Sequence, residues 1–376
     1  MADRPVYLDY NATAPLRPEA KETMLAALSQ PGNPSSVHRF GRAARLLAER
    51  AREQVATLVG TEARRVVFTS GGTEANNLAL RLFRDQAGGA SLIVSAIEHD
   101  SVLRPARALG LPLTEVPAGP DGVVRLDDLA AALEAAPKPA LVALMLANNE
   151  TGAIQPVAEA ARLAHEHGAL LLCDAVQAGG KLAIDMAALG CDFLTLSAHK
   201  LGGPTGSGAL VLRDDWTPAP LMFGGGQERG MRAGTENLAG LAGFGAAAEA
   251  ARAALPGMVR VRALRDRLQA ALKGACPDAP VHGGAAERLP NTLCIGMPGV
   301  PAETQVMALD LAGVAVSAGS ACSSGKVTPS HVLTGMGLPE AAAREAVRFS
   351  LGWETTEADV DRAAEAWTTL WVRKRK

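Results

Sequence analysis

Short apolar runs rich in branched side chains alternate with amphipathic or alanine-rich stretches along residues 43–212. The short runs are typical of buried β-strands, and the longer stretches have the spacing of helices that cover a sheet. The predicted strands are Arg65–Thr69, Ser91–Ser95, Leu141–Leu146, Leu170–Asp174, Phe193–Ser197 and Ala209–Leu212. The predicted helices are Ala43–Val59, Thr73–Arg84, Leu126–Ala136 and Val157–His167. This alternation predicts an α/β domain with a mostly parallel sheet that is covered on both faces.

The pattern changes after a long alanine-rich helix, predicted over Leu238–Ala254 and followed by a Pro-Gly pair. Beyond it come one helix, two short strand-like runs at Thr292–Gly296 and Val314–Ser317, and a final helical segment. A change of this kind indicates a domain boundary. We therefore predict a large domain over residues 15–255 and a smaller α/β domain formed by residues 1–14 and 256–376.

Composition narrows the class of protein. The 376-residue chain is 48% hydrophobic and 20% charged, with a formal net charge of -2, which suits a packed core and gives no sign of a nucleic-acid surface. No segment reaches the roughly 18 consecutive apolar residues of a membrane span, and no apolar signal-peptide core follows the N-terminus. A cytoplasmic location is therefore expected. The five cysteines are scattered without a CxxC pair, which argues against a disulfide framework and against a bound metal.

Polar and glycine residues collect where the predicted strands end, which is where α/β sheets place their ligands. Gly72 and Thr73 join a strand to a helix, and a helix N-terminus binds phosphate well, although a plain turn would have the same sequence. Asp174 closes an apolar strand, where a carboxylate needs a cation or strong donors. A protonated pyridine nitrogen would be such a partner, and capping a helix is the plainer role. Gln177, three residues later, is placed to bond an oxygen of the same ring.

Lys200 follows the apolar strand Phe193–Ser197 in a glycine-rich loop, which is a poor place for a solvated charge. A desolvated lysine has a lowered pKa and reacts with aldehydes. Ser197 and His199 flank Lys200 with groups that bind phosphate.

Two further strand ends carry polar side chains. His99 can stack on a ring and move protons, and Asn149 can bond a small polar ligand or simply form a turn. Each of these signals is weak alone. Together they supply a phosphate cradle, a partner for a pyridine nitrogen, a stacking group and a lysine for a Schiff base. The set predicts an enzyme that uses pyridoxal 5'-phosphate (PLP).

The sequence resembles the cysteine desulfurases, which are fold-type I PLP enzymes of the class-V aminotransferase group. The resemblance implies the fold of that group, an α/β large domain with a smaller α/β C-terminal domain. The matching blocks span nearly the whole chain and are Tyr7–Thr13, Asn33–Ser36 with His38, Thr69–Asn77, Glu98-His99, Asn148–Gly152, Asp174–Gln177, Ser197–Lys200, Gly234–Asn237 and Ser317–Cys322.

The resemblance assigns a role to each candidate residue. It implies that Lys200 holds PLP as a Schiff base, that Asp174 pairs with the ring nitrogen and that His99 stacks on the ring. Cys322, Lys200 and His99 are the implied catalytic residues. The implied cofactor-binding residues are Gly72, Thr73, His99, Asn149, Asp174, Gln177, Ser197, His199, Lys200 and Thr235.

Substrate binding and assembly also follow from the resemblance. Asn11, Asn149 and Arg348 are the implied substrate-binding residues, with Arg348 as the anchor of the carboxylate. From the residues alone, Arg348 could instead be exposed on a strand edge. Thr235 corresponds to a phosphate ligand that these enzymes take from the neighbouring subunit, which implies a homodimer.

Cys322 lies in a small, polar, glycine-rich stretch, which is typical of a mobile segment with an exposed thiol. A surface cysteine without a function is the plainer interpretation. Beside a PLP site, the thiol is expected to take sulfur from L-cysteine as a persulfide and leave L-alanine. Cys173, Cys191 and Cys294 lie in apolar runs and are expected to be buried.

Two alternatives to a cysteine desulfurase stay open. A selenocysteine lyase needs the same cofactor set, and a non-catalytic partner in sulfur transfer or assembly could keep the same fold. The sulfur acceptor, such as an iron–sulfur scaffold protein, is also open. The chain ends soon after its last predicted helix, whereas relatives devoted to general cluster assembly often carry a longer tail. Cluster assembly, nitrogenase maturation and tRNA thiolation all remain candidates.

Overall fold

The computed structural model describes residues 4–213, 220–319 and 329–375. Its strands are β1 (Val6–Tyr7), β2 (Val66–Thr69), β3 (Ser91–Ser95), β4 (Leu113–Val116), β5 (Ala140–Ala143), β6 (Leu170–Asp174), β7 (Phe193–Ser197), β8 (Gly208–Leu212), β9 (Val281–His282), β10 (Thr292–Gly296), β11 (Val314–Ala315), β12 (Ser317–Ala318) and β13 (Ala346–Ser350). Its helices are α1 (Pro18–Leu28), α2 (Arg39–Leu58), α3 (Gly72–Gln86), α4 (Asp100–Ala108), α5 (Leu126–Ala135), α6 (Val157–Glu166), α7 (Met186–Leu189), α8 (Leu238–Ala253), α9 (Met258–Ala275), α10 (Ala302–Leu311), α11 (His331–Gly335), α12 (Glu340–Ala343) and α13 (Glu357–Lys374). None of these helices is long and apolar enough to cross a lipid bilayer.

A seven-stranded sheet in the order β2-β8-β7-β6-β5-β3-β4 forms the centre of the larger part of the molecule. β3 to β7 pair in parallel with their neighbours, and β8 runs antiparallel to both β7 and β2. The predicted mostly parallel α/β sheet is therefore confirmed. Because parallel strands point the same way, the residues that end β3, β5, β6 and β7 meet at one edge.

Helices cover both faces of this sheet. Val55 of α2 and Phe244 of α8 belong to the core on one face, and Leu82 of α3 and Val102 of α4 belong to the core on the other. Along β6, successive side chains alternate between the two cores, as the geometry of a strand requires. A strand with no solvent-facing side can be continuously apolar, which explains the sequence pattern.

A second group of elements packs around a separate core. A four-stranded antiparallel sheet, β12-β13-β10-β9, lies beside the parallel pair β1 and β11. Val6 and Leu8 from the start of the chain share this core with Phe349 and Trp367 near its end. The domain limits at residues 14 and 255 stay a prediction.

Several predicted elements differ from the structure at their limits. The run Val314–Ser317 is not one strand, because β11 pairs with β1 whereas β12 pairs with β13. α2 begins four residues earlier than predicted, at Arg39, where the His38 ring accepts a hydrogen bond from the backbone of Gly41. β5 ends at Ala143, before the predicted end at Leu146.

Candidate active site

A cavity of about 1130 Å³ opens at the edge where the parallel strands end. The second sheet and the N-terminal segment close its other side, because Asp9 bridges to Ser350 at the end of β13. All but two of the residues predicted for the site border this cavity. They are Asn11, Gly72, Thr73, His99, Asn149, Asp174, Gln177, Ser197, His199, Lys200 and Arg348.

Asp174 is the last residue of β6, and its side chain is only 7% exposed. Its carboxylate accepts hydrogen bonds from the backbone N–H of Val176 at 2.9 Å and from the side-chain amide of Asn76 at 2.8 Å. The plainer role of helix cap is wrong, since no helix begins within ten residues of this position. A carboxylate that is held by two donors and borders a cavity is suited to a cationic ring nitrogen.

Lys200 follows β7, is half-buried and borders the cavity. Its Nζ donates to the backbone carbonyls of Asn11 at 2.6 Å and of Ala12 at 2.8 Å. Burial first, and then the positive charge of Arg348, lower the pKa of Lys200 to about 8. About a tenth of this amine is therefore uncharged at pH 7, far more than for an ordinary lysine, and the uncharged form is the nucleophile.

His99 caps the N-terminus of α4, and its ring is exposed to the cavity. Its Nδ1 accepts a hydrogen bond from the backbone N–H of Ser101 at 3.1 Å and lies 2.8 Å from the hydroxyl of the same residue. Desolvation is the main cause that lowers the pKa of His99. The ring is therefore neutral at pH 7.

The N-terminus of α3 supplies a cradle of backbone N–H groups at Gly72 and Thr73. β8 approaches it closely, because a Cβ on Gly208 would lie 2.5 Å from the backbone of Gly71. Ser197 and His199 border the cavity beside this helix end. Burial lowers the pKa of His199 to about 4, so its ring is a neutral donor or acceptor. Such a helix terminus favours a phosphate group.

Arg348 forms the opposite wall. It is buried on β13, which lies between β10 and β12, so the alternative of an exposed residue on a strand edge is wrong. Its guanidinium contacts Asp9 at 2.7 Å and donates to the backbone carbonyl of Asn149 at 2.9 Å. The Nε of Arg348 and the Oδ1 of Asn149 are buried without a hydrogen-bond partner among the described residues.

Asn11 and Gln177 complete this wall, and both are buried. The amide of Asn11 donates to the Thr292 hydroxyl at 2.9 Å, and its oxygen accepts from Asn291 at 3.0 Å. Gln177 donates from its amide nitrogen to the backbone carbonyl of Asn11 at 3.0 Å.

The two remaining predicted residues are not in the described cavity. Thr235 is exposed and does not border it. Cys322 lies outside the described residues. The described residues on both sides of that segment, Gly319 and Pro329, do border the cavity. The four cysteines that the structure describes are all buried, as was expected of Cys173, Cys191 and Cys294.

Comparison with known proteins gives the same assignment over the length of the chain. The profile of the aminotransferase class-V family matches residues 6–363. A cysteine desulfurase of Cereibacter sphaeroides is 46% identical over 96% of this chain and 94% of its own. The cysteine desulfurase IscS of Dictyoglomus turgidum is 41% identical over 95% of this chain and 92% of its own. This chain belongs to the cysteine desulfurases of the class-V aminotransferase family.

The fold agrees with that membership. The solved structure of a NifS-like protein from Rickettsia africae superposes on the desulfurase with a TM-score of 0.91 at 34% identity. The alignment covers 98% of this chain and all of the other. The fold-type I architecture predicted from the sequence is thus confirmed.

Enzymes of this family depend on PLP, and so does this desulfurase. The described residues fit the cofactor. The cavity offers the Asp174 carboxylate for a ring nitrogen, the uncharged fraction of Lys200 for an aldehyde, and the N-terminus of α3 for a phosphate. The Oδ1 of Asn149, which has no hydrogen-bond partner in the described part of the chain, leaves one more acceptor for a bound group.

Several polar residues around the cavity had no signal in the sequence pattern. Asn76 and Ser101 join Asp174 to His99 through hydrogen bonds. Lys181 is buried, and its Nζ donates to the backbone carbonyl of Gln177 at 2.9 Å and to the side-chain oxygen at 3.0 Å. This contact directs the amide nitrogen of Gln177 away from Lys181. A lysine after two glycines has the sequence of a surface turn, so nothing in the pattern indicated its burial.

Proposed function

We propose that this cysteine desulfurase holds PLP on Lys200 and takes the sulfur of L-cysteine as a persulfide on Cys322, releasing L-alanine. The observation that carries the proposal is the position of Lys200. It is a half-buried amine with a pKa of about 8, in a cavity bordered by Asp174 and by Gly319 and Pro329, the described residues on either side of the segment that contains Cys322.

In this proposal Asp174 holds the ring nitrogen, and His99 lies against the ring. Gly72, Thr73, Ser197 and His199 hold the phosphate, with Thr235 added from a second subunit. Gln177 and Asn149 address the ring oxygen and the substrate. When bound, PLP withdraws electrons from the substrate carbon that bears the amino group.

Side chains of the protein bind the substrate and transfer its protons. Arg348 binds the substrate carboxylate, because its guanidinium is fixed by Asp9 and borders the cavity. Asn11 shapes the same wall next to the substrate. The amine of Lys200 takes the proton from the substrate Cα and returns protons later, for which a pKa near the working pH is favourable. His99 is placed to carry protons at the face of the ring.

The sulfur transfer step needs no oxidant or reductant beyond the substrate and the Cys322 thiol. The Cys322 thiolate forms an S–S bond with the substrate sulfur while the Cβ–S bond breaks. The sulfur is oxidised to a persulfide, and the electron pair stays on Cβ, which is reduced. A proton on Cβ then gives the methyl group of L-alanine.

The test compares Cys322→Ala with Cys276→Ala, since Cys276 is buried in the second core and has no proposed role. Purified proteins are incubated with L-cysteine and a thiol reductant, and the visible absorbance, L-alanine and sulfide are measured. We expect Cys322→Ala to keep the absorbance of the bound cofactor and to lose sulfide formation, whereas Cys276→Ala keeps both. Undiminished sulfide from Cys322→Ala would reject the assignment. An unmodified enzyme that turns over L-selenocysteine but not L-cysteine would support the selenocysteine lyase.

We also propose that the enzyme is a homodimer. Exposed apolar side chains cluster on α1, α2 and the segment before α2, and they include Leu28 at 70%, Val37 at 84% and Leu46 at 74% exposure. Phe40 and Leu238 border a groove of about 220 Å³ on the same side. An exposed apolar patch of this kind is typical of a protein–protein interface. Leu238 is only three residues from Thr235, so a second copy on this patch would bring its cavity near Thr235.

The persulfide sulfur passes to an acceptor protein, and we propose an iron–sulfur scaffold for this role. One of the similar relatives carries the name IscS. Incubation of the persulfide form with an apo-scaffold, followed by alkylation and mass measurement of both proteins, tests the transfer. Sulfur that stays on the desulfurase would reject a scaffold as the acceptor.

A further inference from the structure

Asn76 is a fully buried amide in the second turn of α3, and none of the roles above includes it. Its side chain contacts residues of three other elements. Its Nδ2 is 2.8 Å from Oδ2 of Asp174 and 2.9 Å from Oγ of Ser101, and its Oδ1 is 2.8 Å from Oγ1 of Thr195. Asp174 ends β6, Thr195 lies in β7, and Ser101 lies in the first turn of α4.

The direction of each hydrogen bond follows from what the groups can donate. A carboxylate oxygen accepts hydrogen bonds, so the nitrogen end of the Asn76 amide faces Asp174. The two amide hydrogens go to Asp174 and to Ser101. The amide oxygen then accepts from the Thr195 hydroxyl. Both amide hydrogens and the amide oxygen thus have partners, and this fixes the orientation of the amide.

The chain of hydrogen bonds continues to His99. Because the Ser101 oxygen accepts from Asn76, its own proton is directed to Nδ1 of His99 at 2.8 Å. The backbone N–H of Ser101 also points at Nδ1, and a backbone N–H can only donate. Nδ1 is therefore an acceptor, and a neutral His99 ring carries its proton on Nε2. The lowered pKa of His99 agrees with a neutral ring.

We propose that Asn76 is a positioning residue that couples the two ring-facing groups of the site, by fixing the Asp174 carboxylate and, through Ser101, by fixing His99 as the Nε2–H tautomer. The consequence for the cofactor rests on the proposed function, whereas the tautomer is a property of the protein without PLP. The side-chain amide of Asn76 thus fixes the orientation of the Asp174 carboxylate, which would accept from a ring nitrogen. Through Ser101 it also fixes the proton of His99 on Nε2.

The first test uses the apoprotein, in which ¹⁵N-labelled histidines report the tautomer by NMR. The chain has seven histidines, and His99→Gln identifies the signals of His99. We expect an unprotonated Nδ1 and a protonated Nε2 in the unmodified protein. Asn76→Asp keeps the size but replaces the amide donor by an acceptor, so the Ser101 hydroxyl turns to the new carboxylate. The Nδ1 signal of His99 then moves and the preference for one tautomer weakens.

The second test uses the holoenzyme and the pH titration of the visible absorbance of the bound cofactor. Asn76→Asp removes a donor from Asp174 and adds a second carboxylate, so the apparent pKa of the band shifts by about one unit or more. Ser101→Ala breaks only the branch to His99, so it moves the histidine signals and leaves this titration unchanged. If Asn76 had a purely structural role, Ser101→Ala would not change the His99 signals while leaving the absorbance titration unchanged.

Asn77→Asp is the matched control, because Asn77 carries the same amide one residue later and, among the described residues, its side chain bonds only to the backbone of Thr73 in its own helix. It should change neither readout. If Asn76→Asp does not fold, Thr195→Val removes the hydroxyl that fixes the amide, and smaller shifts of both readouts are expected. A folded Asn76→Asp or Thr195→Val protein with unchanged His99 signals and an unchanged titration would overturn the proposal. A protein that binds no PLP would reject the proposed function, while the apoprotein test of Asn76 would still stand.

Discussion

The environment of Lys200 destabilises its charge from two directions. Burial removes water from the ammonium group, and Arg348 adds a nearby positive charge, while Asp9 and Asp174 act in the opposite sense. The two carbonyls that accept from Nζ, those of Asn11 and Ala12, are neutral. The balance leaves the pKa at about 8, well below the ordinary value of 10.5.

This pKa predicts how the apoprotein takes up PLP. Only the uncharged amine reacts with an aldehyde, so the uptake rate should rise about tenfold per pH unit below pH 8 and level off above it. An ordinary lysine would give a rate that still rises up to about pH 10.5. Rapid mixing with PLP at a series of pH values, followed by absorbance, gives the profile.

The Arg348→Gln variant provides the internal check on that profile. It removes the positive charge that helps to lower the pKa of Lys200, so the midpoint should move to higher pH. A midpoint near pH 10 in the unmodified apoprotein, or no movement in the variant, would contradict the assigned cause.

Arg348→Lys tests the substrate contact. The guanidinium presents a fork that Asp9 and Asn149 hold in place, and an ammonium group cannot reproduce two parallel bonds to a carboxylate. A charged hydrogen bond contributes about 1.5–3 kcal/mol, so KM for L-cysteine should rise by roughly 10- to 150-fold. Arg267→Lys is the control, because Arg267 is exposed on α9 and pairs there with Asp361. An unchanged KM in Arg348→Lys would remove Arg348 from substrate binding.

At the scale of elements, the sequence predicted best where strands are buried on both faces. The limits of β3, β6 and β7 match the predicted runs, because each is a mostly apolar segment ended by a polar residue. The edge strand β4 was missed, since its sequence Leu-Thr-Glu-Val is largely exposed and has no apolar run. The residues at the ends of the central strands were therefore predicted, and the sheet brings them into one cavity.

The partners of those residues were harder to predict. Asn76 has the sequence of a polar position in an amphipathic helix, and only the packing of α3 against β6 and β7 shows that it is buried. Thr235 was assigned by resemblance, and its exposure shows that the chain alone does not bring it to the cavity. Pairwise contacts that depend on tertiary packing leave no periodic signal in the sequence.

A buried ion pair links α2 to the segment that leads to Thr235. The two terminal nitrogens of Arg52 bind the carboxylate of Glu228 at 2.7 and 2.8 Å, and the backbone N–H of Phe68 in β2 donates to the same group at 2.9 Å. Glu228 has a φ of 47°, a left-handed conformation that is uncommon for a residue other than glycine. These contacts hold it there.

Glu228→Ala should therefore destabilise the protein strongly, because it leaves the Arg52 charge buried without its main partner. A loss of about 3–5 kcal/mol is expected. Glu49→Ala is the matched control, since Glu49 pairs with the same guanidinium but its side chain is 53% exposed, and it should cost at most about 1 kcal/mol. Urea unfolding of both variants gives the comparison. Equal losses would mean that the buried pair does not stabilise the fold.

At the scale of the whole molecule, one proposed phosphate ligand is separated from the site it would serve. Thr235 is exposed outside the cavity, and Leu238 at the start of α8 borders a groove together with Phe40 of the apolar patch. If a second copy covers this patch, each cavity is completed by the Thr235 of the other subunit. Each subunit alone would then bind the phosphate of PLP with one contact fewer.

Mixed dimers of Lys200→Ala and Thr235→Val show whether Thr235 serves the cavity of the other subunit or the cavity of its own. Thr235→Val removes the hydroxyl at constant size, and the homodimer should lose about tenfold or more in affinity for PLP, because a hydrogen bond to a charged group is lost. In a mixed dimer with donation between subunits, one site carries both changes and the other carries neither. Dimers purified through two different affinity tags should then show about half of the unmodified activity at limiting PLP. With donation inside one subunit, the only site that keeps Lys200 lacks Thr235, so activity should stay below that of the Thr235→Val homodimer.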